Sequence, residues 1–179
     1  VHNDDDDGAV GFSCTYTDSA GNAIATAITS LSAGSAITID NTHPTSTTAV
    51  LAVTGSGNGN DADVVSITLD PSETVGTPTC TFTDGSGAMA DTSVTYTTSN
   101  PDSHIASVTV DNADDDGADG FSCTYSDLAG NAIASAITTA SSGSVTIDNT
   151  HPSISSVVFD SGDYVNDAED ESAINLVII

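Results

Sequence analysis

Residues Gly11–Pro44 read GFSCTYTDSAGNAIATAITSLSAGSAITIDNTHP, and Gly120–Pro152 read GFSCTYSDLAGNAIASAITTASSGSVTIDNTHP. The two stretches begin 109 residues apart and differ by one residue in length, a spacing that matches a small domain rather than a short solenoid repeat. In each copy Phe12, Cys14 and Tyr16, or Phe121, Cys123 and Tyr125, alternate with Ser and Thr. That period of two predicts a strand with one buried and one wet face. Asp18-Ser19-Ala20-Gly21-Asn22 and Asp127-Leu128-Ala129-Gly130-Asn131 come next. Their Gly accepts a positive φ and their Asp and Asn can bond neighbouring backbone, which predicts a hairpin turn. A second strand leaves the turn through Ile24, Thr26 and Ile28.

The Tyr-x-Asp-x-Ala-Gly-Asn signature, the alternating strand after it and the closing Thr-Ile-Asp-Asn-Thr-x-Pro resemble the last two strands and linker of bacterial and archaeal immunoglobulin-like surface repeats. The resemblance covers residues 12–22 with 38–44 and 121–131 with 146–152, and Ser72-Glu73-Thr74-Val75 leading to Pro78 is similar to the entry into the mid-domain strand of such repeats. It departs from them at His43 and His151, which stand where the linker commonly has Ala, and paired cysteines are not a general feature of the family. The resemblance implies an all-β fold of tandem immunoglobulin-like β-sandwich domains at a cell surface.

On this reading residues 1–42 are the C-terminal part of one repeat, 43–150 a complete sandwich, and 151–179 the first strands of the next. Strands are expected near 46–53, 64–69, 78–83, 88–97, 104–110, 120–126 and 132–148, the last with a break at Ser141-Ser142-Gly143. Seven short strands with turns at 55–60, 84–87, 98–103 and 111–119 match the immunoglobulin-like plan. Beyond them, Ile154–Phe159 and Ala173–Ile179 are expected strands flanking an acidic loop, Asp160–Glu171. The partial repeats at either end require completion, either by continuation of the same long polypeptide or by strand donation between copies, and continuation is the expectation. No apolar run of 18 residues occurs, so membrane insertion is not expected of this segment and any anchor lies elsewhere in the parent protein.

The chain has 26 acidic residues and neither Lys nor Arg, a formal net charge of −26. Nucleic acid and acidic lipid surfaces are poor partners, because both need Lys or Arg against phosphate, and no nucleic-acid binding is expected. Cations are the natural partners. Self-repulsion on this scale favours high ionic strength, where the Debye length falls below ~8 Å, or bound divalent metal. Ca²⁺ prefers clustered oxygen ligands, and the acidic loops Asn3–Asp7 and Asn112–Asp116 supply them. So do the repeat junctions, where Asp40 and Asn41, or Asp148 and Asn149, could meet Asp61 and Asp63, or Asp167, Glu169 and Asp170. No stretch has the spaced Asp-x-Asp-x-Asp-Gly pattern of an EF-hand, and solvated charged loops are the alternative.

Small residues dominate and only 4% are aromatic, so a sandwich of this composition has a thin core and benefits from staples. Cys80 and Cys123 lie 43 residues apart in Thr-flanked alternating strands of the complete repeat. They are either a disulfide or two buried thiols, and the extracellular reading favours the disulfide. Cys14 has no partner within the chain.

Chemistry would have to come from carboxylates, amides, hydroxyls and four His. There is no HExxH, GxSxG, phosphate loop or basic anion site, and catalysis is not expected. Without Lys, isopeptide cross-links are excluded as well. Two functions remain: a structural segment of an extracellular filament, stalk or surface layer whose neighbours are copies or continuations of the same chain, and an adhesin module recognising glycans or a host or abiotic surface. Near-identical repeats and the lack of Trp favour the first.

Overall fold

The computed structural model describes residues 2, 4–55, 57–100, 102–159 and 176–178. In chain order the strands are Gly8–Ala9 (β1), Thr38–Ile39 (β2), Ser46–Val53 (β3), Asn58–Gly59 (β4), Val64–Pro71 (β5), Thr79–Thr83 (β6), Thr95–Asn100 (β7), Ser103–Thr109 (β8), Gly117–Ala118 (β9), Gly120–Thr124 (β10), Thr146–Ile147 (β11), Val157–Phe159 (β12) and Leu176–Ile178 (β13). The described residues are all-β, with no helix and hence none that could cross a membrane. The chain divides into two compact units, Val1–Asn149 and Thr150–Ile179.

In the first unit β3-β5-β8-β7 form an antiparallel four-stranded sheet. Alternation decides its buried face: Val65, Ile67 and Leu69 of β5 are buried, and the residues between them are not. Ala49 and Leu51 of β3 and Ala106 and Val108 of β8 join them. Against this face lies a second layer, the β6–β10 pair, which contributes Cys80, Phe82, Phe121 and Cys123 to the same hydrophobic cluster. A three-stranded strip, β4-β11-β9, adds Ile147. The layering is consistent with a β-sandwich. β6 and β10 place Cys80 directly opposite Cys123, and the two are disulfide-bonded across 43 residues of chain. On loop entropy alone that link stabilises by about 4 kcal/mol.

The two copies of the opening stretch have the same local structure. Gly8 pairs with Ile39 and Ala9 with Thr38, as Gly117 pairs with Ile147 and Ala118 with Thr146. The Cys14 and Ile28 amides exchange hydrogen bonds of 3.0 and 2.9 Å, and so do those of Cys123 and Ile137. Both turns carry the expected Asp cap, with Asn22 N donating to Asp18 Oδ1 (2.9 Å) and Asn131 N to Asp127 Oδ1 (2.8 Å). In the second unit β12 and β13 pair antiparallel, Val158 opposite Val177, inside the two stretches expected as strands. The acidic loop expected between them lies outside the described residues.

Two expected strands are corrected. Residues 88–94 do not extend, and β7 starts only at Thr95. Asp91 Oδ1 takes the Ser93 N–H (2.8 Å), Asp114 Oδ1 takes the Ala90 N–H (2.6 Å), and Met89 is buried in the core, so the segment turns inward. The strand expected over 132–148 is also interrupted. Two positions from Tyr125, just past β10, back to Cys123 correspond to four on the partner, from Ile133 to Ile137, so Ala134 and Ser135 bulge out. At Ser141-Ser142-Gly143 the chain changes sheets. Ser141 Oγ donates to Ala49 O (2.8 Å) and Leu51 N donates to Ser142 O (3.0 Å).

That crossing requires glycine. Gly143 has φ 83° and a Cβ there would lie 1.9 Å from Leu51 O, whereas its counterpart Gly34, φ 95°, has nothing within 4 Å. Both positions disfavour an L side chain by about 1–2 kcal/mol, and only Gly143 adds overpacking of about 1–3 kcal/mol. Gly143→Ala should therefore lower the urea midpoint clearly, and Gly34→Ala by much less; equal shifts would contradict the crossing.

Candidate cation site at the repeat junction

Asp40 follows β2 at the end of the first copy, Glu73 lies in the turn after β5, and Asp127 caps the hairpin after β10. Their carboxylates converge, with one oxygen of each within 4.8 Å of one of each of the others. Local hydrogen bonds fix two of the three. Asp127 is buried and takes Gly130 N (2.7 Å) and Asn131 N (2.8 Å) on Oδ1 and Asn131 Nδ2 (2.7 Å) on Oδ2. Asp40 Oδ1 accepts from Thr42 N (3.1 Å), and its carbonyl accepts from Asn131 Nδ2 (3.0 Å). One amide thus ties the linker to the turn. His43 Nδ1 adds a bond to Ala132 O (2.8 Å), and Pro44 behind it is fully buried.

Burial, then the charges of Asp40, Asp127 and Asp7, raise the Glu73 pKa above the usual carboxylate range. Burial also opposes ionisation of Asp127, but the hydrogen bonds from the Asn131 side chain and the Asn131, Gly130 and Ala129 N–H groups outweigh it, so its pKa is lowered. The site therefore holds an anchored carboxylate, Asp127, beside one that burial and then repulsion make reluctant to ionise, Glu73. Hard oxygen donors at this separation, with no Lys or Arg in the chain to neutralise them, suit Ca²⁺ or a similar cation.

Of the residues expected to hold an ion, Asp40 is in the cluster. Asn41 instead donates N–H to Asp7 Oδ1 (2.6 Å) and Nδ2 to Asp5 O (2.7 Å). Asp63 accepts from Thr54 Oγ1 (3.0 Å) and Asn60 N (3.0 Å), closing a turn, and Asp61 is exposed beside it. The Asp148 N–H donates to Gly59 O (2.9 Å), and Asn149 N to Asp116 Oδ1 (2.6 Å). Asp167, Glu169 and Asp170 lie outside the described residues. Sequence reading missed Glu73 and Asp127 as partners of Asp40. Both lay in motifs already recognised, the Ser-Glu-x-Val entry and the Asp-x-Ala-Gly-Asn turn.

The acidic loops fold back on the linkers. Asp7 and Asp116 bind the backbone N–H of Asn41 and Asn149 in equivalent fashion, and the Asp7 pKa is lowered by Thr42 and then Asn41. Asp84, buried at the end of β6, accepts from Asp115 N (3.0 Å), Ser86 N (2.9 Å) and Gly87 N (2.8 Å), and its pKa is lowered by those bonds. Hydrogen bonding accounts for most of what these loops do. No protein-family model, curated protein or solved structure matches the chain.

Among the described carboxylates Asp119 stands apart. Both of its oxygens are buried without a hydrogen-bond partner, and burial, then Asp114 and Asp84, push its pKa up to about 7. Val10 occupies the equivalent position, with Val10 N bonded to Ile37 O (2.8 Å) as Asp119 N is to Val145 O (3.0 Å). A folded-state pKa above the unfolded one stabilises the fold at low pH, and that contribution is lost as pH rises through about 7. Asp119→Val should raise stability above pH 7 by about 1–3 kcal/mol, and the gain should shrink towards pH 4. Thermal melts of both proteins across that range check it; a gain independent of pH would contradict the assignment.

Proposed function

We propose that the chain is a segment of an extracellular array of immunoglobulin-like β-sandwich repeats, and that its role is structural: length and stiffness for a filament, stalk or surface layer. The observation that carries this reading is the docked linker. Asp40–Pro44 is held to the residues that follow it by Asn131, by the His43–Ala132 bond and by burial of Pro44, which supports a fixed joint at this junction rather than a free tether. The disulfide fits an oxidising compartment, and a chain without Lys or Arg fits a setting rich in cations. A divalent ion held by Asp40, Glu73 and Asp127 would cancel repulsion at the joint and lock it further.

The joint is tested by Glu73→Gln. In chelator the substitution removes a repelled charge and should raise the melting temperature. In millimolar Ca²⁺ the parent should gain several degrees and the variant little or nothing. A parent melting temperature unchanged by Ca²⁺, or an equal response in both proteins, would remove the cation from the account. Electron microscopy of native material tests the structural role, with regular fibres expected and a flexible tether ending in a distinct tip favouring adhesion instead.

A further inference from the structure

The two copies share a sequence and a hydrogen-bond pattern but differ in what covers them. In the second, Phe121, Tyr125 and Val145 are 7%, 4% and 2% exposed, beneath the sheet formed by residues 46–109. In the first, the equivalent Phe12, Tyr16 and Ile37 are 38%, 62% and 64% exposed. Val10, Phe12, Leu31 and Ile37 line an open groove of about 490 Å³ there. Cys14, the counterpart of the disulfide-bonded Cys123, is an exposed free thiol. A contiguous apolar face of this kind is not left bare on a soluble surface without a partner.

We infer that the face formed by residues 10–39 is the seat of the front half of another repeat, a segment equivalent to residues 43–109 that brings a cysteine to Cys14. The structure itself supplies the template, because the same face at residues 119–147 is covered by that segment, in register, with Phe82 opposite Phe121 and Cys80 opposite Cys123. VHNDDDDGA at residues 1–9 matches VDNADDDGA at residues 110–118, so both faces follow the same acidic loop. A second copy of the chain is a poorer occupant. Its own residues 46–109 already cover residues 119–147, and its residues 151–179 contain no cysteine. The inference takes from the array reading only that the partner is a like repeat.

The test places residues 43–109 ahead of Val1 in the otherwise full chain. The parent should label one thiol on alkylation without reductant and bind a hydrophobic dye; the extended chain should label none and lose the dye signal. A version with Cys14→Ser and Ser at the added counterpart of Cys80 should still lose the dye signal, because burial and not the disulfide closes the face. Persistent labelling of Cys14 with unchanged dye binding would overturn the inference, as would dye binding that returns when the cysteines are removed. A parent chain that sediments as an oligomer and binds no dye would also overturn it, in favour of a second copy. None of these readouts needs a filament, so negative electron microscopy would remove the array reading and leave this one standing.

Discussion

Burial of one apolar hairpin face beneath a separate set of strands is the constraint on which the structure depends. The hairpin of residues 119–147 has few large side chains, and what it offers the core is mainly Phe121, Cys123, Tyr125, Val145 and Ile147. The face becomes interior only because β5 and β8 present Val65, Ile67, Leu69, Ala106 and Val108 to it, and because β6 lies beside β10 with a disulfide across the pair. The first copy is the natural control. With the same local hydrogen bonds and no cover, it keeps its hairpin and leaves its apolar side chains in water. Hydrogen bonds fix the local shape, and burial decides what is interior.

A second constraint follows from composition. A chain with no Lys or Arg has only four His to pair with its carboxylates, and most of those described here are settled by backbone N–H groups. Asp18 and Asp127 cap hairpin turns, Asp63 and Asp84 close others, and Asp7 and Asp116 hold the linkers. At Asp7, Asp18, Asp84 and Asp127 these bonds lower the pKa, so the charges serve as loop architecture. Two places stand apart among the described residues. Asp119 has no donor within reach, and at Asp40, Glu73 and Asp127 three carboxylates meet faster than the local amides can satisfy them. The latter is the place at which an outside cation has most to contribute.

The strands were legible where polar and apolar residues alternate and the apolar ones are large: β3, β5, β6, β8 and β10 lie where the pattern puts them. Legibility failed where hydrogen bonding to side chains competes with the ladder. Residues 88–94 and 132–145 are rich in Ala, Ser, Thr and Asp, and there Asp91, Asp114 and Ser141 capture or replace backbone partners that a strand would have used. The disulfide was readable from two cysteines in matching strands, though its place within one sheet, between adjacent strands, was not. For the cation site the sequence pointed to the junction and to Asp40. It could not show Glu73 and Asp127 beside it, because that meeting depends on how the linker docks on a turn 87 residues away.

The account rests on cover, and the two copies allow it to be measured within one molecule. Cys14 and Ile28 make the same pair of amide hydrogen bonds as Cys123 and Ile137, so amide hydrogen exchange compares identical bonds with and without a covering sheet. The account predicts that the Cys123 and Ile137 amides exchange at least ~100-fold more slowly than those of Cys14 and Ile28, because the former open only with the core. Equal protection in the two copies would contradict it.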